Sequence, residues 1–193
     1  RAAALNAPLF YLPDFIETIE HRLIPQGREV TIRFSAAHPV GALFKRPLHT
    51  ILPLFTPVQA ENAALAAAAF KYYFPGTPEE LIEKGLSKAW LPARFQLLST
   101  KPLIVLDGAH THNSIQTCAD TFFSLLNNGS DAPSVSDASS KAKPILVFAC
   151  AADKDPAGFA PIFYGNIAHL YLTVPGSFKK GNLEKTVAAF TQI

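Results

Sequence analysis

Leu103-Ile104-Val105-Leu106-Asp107-Gly108-Ala109-His110-Thr111 is the stretch on which the fold turns. Its apolar residues follow one another without alternation and stop at Asp-Gly, as a strand buried on both faces of a parallel sheet does. Downstream the same rhythm repeats. A helix is predicted over 113–126, with Ile115, Ala119, Phe122 and Leu126 on its inner face. An apolar strand follows at 145–150, a short helix at 157–164, another strand at 169–174, and a last helix opening at Asn182. Strand and helix in alternation specify a parallel sheet with helices on its faces. Residues 127–143, poor in apolar side chains and rich in Ser, Asp, Ala and Gly, read as a surface insertion without chemistry.

Upstream the texture differs. Residues 1–92 are punctuated by proline and carry two strand-like runs, 29–34 and 48–55. In the first, Val30, Ile32 and Phe34 share one face, the period of a half-buried strand. A helix is predicted over 58–74, with Ala60, Ala63, Ala64, Ala67 and Phe70 on one stripe, small enough to lie close on a sheet. Pro75-Gly76 ends it, and Thr77-Pro78-Glu79-Glu80 reads as the capped, acidic start of another helix reaching about Ala89.

Composition removes several classes. Of 193 residues, 49% are hydrophobic and 17% charged, which favours a packed core over disorder. A formal charge of +2 without a basic stripe argues against a nucleic-acid partner. The apolar run 51–74 is broken by Pro53, Pro57, Gln59, Glu61 and Asn62, polar groups that are costly in lipid, so no membrane span is expected. Residues 1–8 lack the basic, apolar and small-residue order of an export signal. Cys118 and Cys150 show no pairing pattern and read as thiols of a reducing, cytoplasmic compartment. The chain has no methionine, an initiator included, from which we expect a portion of a longer protein. Its oligomeric state is not encoded in any visible pattern.

In open parallel sheets ligands collect beyond the carboxyl ends of the strands. Polar or glycine-rich chemistry stands at each such end here: Asp107-Gly108-Ala109-His110, Ala151-Ala152-Asp153-Lys154-Asp155 and Thr173-Val174-Pro175-Gly176. Asp107 can accept the hydroxyls of a ribose while Gly108 lets a ligand approach the backbone. Arg94, in Leu91-Pro92-Ala93-Arg94-Phe95-Gln96, offers a planar fork for phosphate oxygens. His110 can contact phosphates or a neighbouring substrate. Blander readings stand beside these. Asp-Gly is a common turn pair, Asn62 can cap a loop, Arg94 can be a surface arginine, and Asp153-Lys154-Asp155 can be a solvated turn. Asp107, His110 and His112 also supply donors suited to zinc or iron, which would make the chain a metal-dependent hydrolase.

Taken together, Ala93-Arg94-Phe95, Leu106-Asp107-Gly108-Ala109-His110 and Gln59-Ala60-Glu61-Asn62-Ala63-Ala64-Leu65-Ala66 resemble motifs of the Mur ligase superfamily, and within it the folylpolyglutamate synthase/dihydrofolate synthase family. Thr111 with Ser114 and Cys118, and 173–179, lean toward that folate branch. The resemblance, over 30–193, implies an α/β chain. A Rossmann-like parallel-sheet C-terminal domain over 93–193, incomplete at its end, would follow the end of a Mur ligase-type central ATPase domain over 1–92. It implies an ATP-dependent ligase that adds L-glutamate to folates through an acyl phosphate, with Mg²⁺ bridging phosphates. It also implies that Asn62 meets the adenine edge, Arg94 the phosphates and Asp107 the ribose. His110 would be the catalytic residue, beside the phosphates near the glutamate, and Lys154 would share that cleft. The chain departs from the family in having no G-x-x-x-x-G-K-[ST] phosphate loop and no upstream magnesium ligands. On this reading it is inactive alone, and no metal ligand is assigned within it. Another Mur-type amino-acid ligase and a non-catalytic nucleotide-binding domain are the alternatives.

Overall fold

The structure, a computed structural model, describes Ala4 and residues 8–128, 143–177 and 179–191. The chain divides into two compact units, Arg1–Leu97 and Leu98–Ile193. No helix among the described residues is long and apolar enough to cross a membrane.

The first unit is built on an antiparallel sheet of β1 (Ile16–Ile24), β2 (Gly27–Phe34) and β3 (Leu48–Leu52), in that order, entered through the short α1 (Leu12–Phe15). Gly27 closes the β1–β2 turn at φ +143°, and a Cβ there would lie 1.9 Å from the Leu52 carbonyl oxygen, so only glycine fits. The expected face of β2 is buried: Val30 and Ile32 are almost fully covered, and Leu48 and Leu52 join them from β3. Each such side chain stabilises the unit by about 1.5–3 kcal/mol. Phe34 stacks on Phe44, with ring centroids 3.6 Å apart. Over this face lies α2 (Val58–Tyr73), whose Ala60, Ala63, Ala64, Ala67 and Ala68 are buried.

The alanine stripe departs from expectation at its far end. Phe70 is 47% exposed and Lys71 is 2% exposed, because the buried row runs through Ala60, Ala64, Ala67 and Lys71. The turn after α2 supplies what a buried ammonium needs: Lys71 Nζ donates to the Thr77 carbonyl and pairs with Glu79 Oε1 at 3.2 Å. Glu79 opens α3 (Glu79–Leu86). Pro78, not Thr77, is its N-cap residue, and no side chain caps it. A second ionic clamp ties α3 to β3. Arg46 reaches both oxygens of Glu83 at 2.7 and 2.9 Å and Glu80 at 2.8 Å, while the His49 N–H donates to Glu83 at 2.7 Å.

The second unit holds β4 (Gln96–Thr100), which begins just before the division, β5 (Leu103–Leu106), α4 (His112–Asn128), β6 (Ile145–Ala149), α5 (Ala160–Phe163), β7 (His169–Thr173) and α6 (Leu183–Thr191). β6 and β7 pair in parallel, with Ile145 opposite His169 and Ala149 opposite Thr173. The mixed α/β class and its parallel pairing are therefore as read from the sequence. β5, however, is hydrogen-bonded to β4 and not to β6. Its side chains alternate in exposure, with Ile104 and Leu106 outward. One covered face suffices to hold it, and an all-apolar strand hides which face that is. Phe148 on β6 anchors the core, its ring 6.3 Å from Phe159 and Phe163 and 5.3 Å from Phe190. Ile115 and Ala119 of α4 complete it, whereas Phe122 and Leu126 are half-buried. The 157–164 helix is split into a 3-10 turn, Pro156–Gly158, and α5. Of the 127–143 insertion, residues 129–142 lie outside the described residues.

Two stability tests follow from the clamps. Lys71→Met strands Glu79 and is expected to cost about 3 kcal/mol in urea unfolding, with part recovered in Lys71→Met/Glu79→Leu; a loss under about 1 kcal/mol removes the pair from the account. Glu83 is held below its ordinary value of 4.5 by the Arg46 guanidinium and then the His49 N–H, against the opposing pull of burial. Its folded carboxyl therefore binds a proton less readily than the unfolded one. The clamp contributes fully above about pH 4.5 and is lost as pH falls through the lower folded value. Comparing wild type with Glu83→Gln between pH 3 and 7 is expected to show a stability difference that shrinks on the acid side (on the order of 1 kcal/mol at neutral pH).

Candidate functional site

In the first unit the predicted residues stand on two segments. Asn62 is exposed on the first turns of α2, and its Nδ2 donates to Gln59 Oε1 at 3.2 Å. Gln59, one helical turn earlier, is 8% exposed. Sequence reading passed over Gln59, although the i, i+3 spacing on a helix was a usable signal.

Arg94 is exposed between two residues in the left-handed region, Ala93 at φ 52° and Phe95 at φ 48°. Neither is glycine, so each costs about 1–2 kcal/mol. Phe95 holds the arrangement by being 1% exposed, its ring 5.4 Å from Phe55, while the Ala93 N–H donates to Gln96 Oε1 at 3.1 Å. Strain of this kind persists where its surroundings overdetermine it and clusters at functional positions. Between these two positions Arg94 stands exposed while Phe95 is buried. Arg94 borders a cavity of about 250 Å³ with Pro53, Phe55, Trp90, Leu91 and Phe95. Trp90, the chain's one tryptophan, is 66% exposed. No sequence pattern announced the left-handed pair, since no glycine or asparagine marks it.

In the second unit Asp107 follows β5 directly and is half-buried, its Oδ1 accepting the Ala109 N–H at 2.6 Å. The loop it starts is tied down locally. His110 Nδ1 lies 3.0 Å from the Gly108 carbonyl oxygen. A carbonyl can only accept, so Nδ1 carries the proton and Nε2 is left outward as the ring's second nitrogen. Thr111 and Ser114 form a reciprocal cap at the start of α4: the Ser114 N–H donates to Thr111 Oγ1 at 3.3 Å, and Ser114 Oγ accepts the N–H groups of Thr111 and His110 at 3.0 and 3.1 Å. Cys118, one turn further, is a free thiol that burial and then the Asp107 charge push up to about 12, so it is no nucleophile. Cys150 is also free, and buried.

Lys154 is half-buried with Nζ 3.3 Å from Asp153 Oδ2, and its carbonyl accepts from Lys185 Nζ at 2.9 Å. The loop carrying it meets the stretch after β7 through the Ala151–Gly181 bridge and the Ala152 N–H to Lys180 carbonyl bond of 2.9 Å. Gly181 is needed there, because a Cβ would sit 2.9–3.0 Å from Pro175 and Val174. Ala109 packs on the core cluster that contains Cys150. The loops after β6 and β7 thus meet, and Ala109 of the loop after β5 packs on the same core. Among the described residues no three His, Cys, Asp or Glu side chains converge as metal ligands.

No protein-family model matches the chain. The folylpolyglutamate synthase of Lacticaseibacillus casei is 32% identical over 133 residues, 65% of this chain and 27% of that protein. The dihydrofolate synthase/folylpolyglutamate synthase of Escherichia coli strain K12 is 35% identical over 96 residues, 50% of this chain and 21% of that protein. The chain thus spans about a quarter of the length of these curated relatives. The folylpolyglutamate synthase of Mycobacterium tuberculosis, solved with ADP and AMPPCP, superposes with a TM-score of 0.74 at 16% identity, covering 99% of this chain and 39% of that one. The chain is therefore similar in sequence to folylpolyglutamate and dihydrofolate synthases, and shares the folylpolyglutamate synthase fold along almost its whole length.

Proposed function

We propose that the chain supplies part of the nucleotide site of an ATP-dependent ligase that joins L-glutamate to a folate. Residues 1–92 are read as the end of a central ATPase domain and residues 93–193 as a C-terminal domain. In the reaction the γ-phosphoryl group of ATP passes to a carboxylate oxygen of the folate and ADP leaves. The glutamate amine then attacks the carbonyl carbon, the bond to the phosphate oxygen breaks, and an amide remains. Such chemistry is accelerated mainly by positioning and by charge stabilisation.

The observation that carries the reading is the exposed Arg94 set between two strained residues beside an aromatic-lined cavity. An uncommitted guanidinium in a fixed place suits phosphate oxygens. Asn62 takes the adenine edge, Asp107 the ribose hydroxyls, and His110 stands by the phosphates as the catalytic residue, with Nε2 available. Lys154 is the lesser cation of this reading, since Asp153 already engages it. Support for an adenine nucleotide comes from the Mycobacterium relative of the same fold, solved with ADP and AMPPCP. For Mg²⁺ the fit is poor: no convergent set of ligands exists among the described residues. An ion of that kind, which keeps waters and leans on substrate phosphates, belongs with groups other than these. The free thiols Cys118 and Cys150 support a reducing compartment, the cytoplasm, as the setting of this reading.

Arg94→Ala in the full-length protein is expected to lower kcat/KM for ATP about a hundredfold while unfolding stability stays within about 0.5 kcal/mol. Unchanged kinetics would remove Arg94 from the site. Tight ATP binding without glutamate addition to any folate would instead leave a nucleotide-binding domain without this chemistry.

A further inference from the structure

Gln59 is a buried amide in a row of alanines. It is 8% exposed on a face of α2 whose other covered positions are Ala60, Ala63, Ala64, Ala67, Ala68 and Lys71. A buried amide is costly unless it is hydrogen-bonded, and the bond it makes is to the exposed Asn62, whose Nδ2 donates to Gln59 Oε1 at 3.2 Å. The direction of that bond matters. A carboxamide presents a donor on one side and an acceptor on the other, and a free one presents either by rotating half a turn. With its nitrogen engaged by Gln59, Asn62 has its Oδ1 left to face a ligand.

We propose that Gln59 is a positioning residue that sets which purine this chain accepts, by holding the Asn62 amide with its carbonyl oxygen as the base-reading atom. The proposal rests on the reading of Asn62 as the adenine contact. An acceptor at that place matches the 6-amino group of adenine, a donor. It is mismatched to the 6-oxo group of hypoxanthine or guanine, which is itself an acceptor, and two facing acceptors leave both unsatisfied. Without Gln59, Asn62 could turn its NH₂ outward and accept the oxo purines. Gln59 touches no base in this scheme; it acts through Asn62.

The test is titration calorimetry of the full-length protein with ADP and IDP, which differ in the purine 6 substituent and in the N1 proton that comes with the 6-oxo group, and require no turnover. Wild type is expected to bind ADP more tightly than IDP. Gln59→Met, which keeps the side-chain length and introduces no polar group, is expected to narrow the ADP:IDP ratio about five- to tenfold, the worth of one neutral hydrogen bond. Gln59→Glu still offers an acceptor to Asn62 Nδ2 and is expected to keep the wild-type ratio, a rescue that a purely structural role of Gln59 does not produce. Asn62→Ala is expected to erase base preference. If Asn62→Ala erases it and Gln59→Met leaves it intact, the inference falls while the nucleotide site stands. If Asn62→Ala changes neither affinity nor ratio, the site assignment itself fails and the inference with it. Equal wild-type affinity for ADP and IDP also overturns it.

Discussion

Arg28 is buried on the face of β2 that it shares with Val30, Ile32 and Phe34, and its partners are a backbone carbonyl and an imidazole nitrogen. Nε and Nη2 donate to the Phe55 carbonyl at 2.9 and 2.6 Å, and Nη1 lies 2.9 Å from His21 Nδ1. Burial pulls the guanidinium down from its ordinary value, yet arginine has so much to spare that it stays charged. Bonds from a charged donor are worth about 1.5–3 kcal/mol, and here they fix one carbonyl at one point. From Phe55 the chain runs through Thr56-Pro57 into α2, which carries Gln59 and Asn62. The Phe55 ring in turn meets Phe95, the residue after Arg94. Both segments of the candidate site in the first unit are thus referred to a position that Arg28 holds.

Much of the architecture was legible because its signals are local. Apolar runs stopping at polar turns gave β5, β6 and β7 almost residue for residue, and the alanine-leucine texture gave α2. What escaped has specific causes. β1, in Ile16–Ile24, interleaves acids and a histidine with its apolar residues, and no extended apolar stripe marks it. Its pairing with β2 depends on Gly27 beneath the Leu52 carbonyl, a contact between distant residues. Phe70 and Lys71 exchanged places because a lysine is buried only when acceptors converge on it. Those acceptors, the Thr77 carbonyl and Glu79, come from the turn beyond the helix. The separation of β5 from β6 was hidden for the opposite reason: four consecutive apolar residues carry no record of which neighbour they join.

Around the candidate residues the local turns were readable, but the backbone that presents them was not. Asp-Gly at a strand end announces a tight polar turn, and the Asp107 carboxylate does accept from Ala109 two residues on. Ser114 and Thr111 bond each other at the spacing a capping box uses. By contrast the left-handed Ala93 and Phe95 have no residue signature. They are held by the burial of Phe95 against Phe55, forty residues earlier in the chain, so the strain on either side of Arg94 is invisible to any local reading.

The cations of the candidate site also differ in how free they are, and that ranks them. Half-buried Lys154 has the exposed Asp153 at 3.3 Å, a pair worth under about 1 kcal/mol that partly neutralises the lysine's charge. Arg46, Arg28 and Lys71 are committed to Glu83, Phe55 and Glu79. His110 Nδ1–H is committed to the Gly108 carbonyl. Arg94 is the exposed arginine among them, and its place in the chain is set by the left-handed backbone on either side and by the burial of Phe95, a setting suited to holding charge and not to moving a proton.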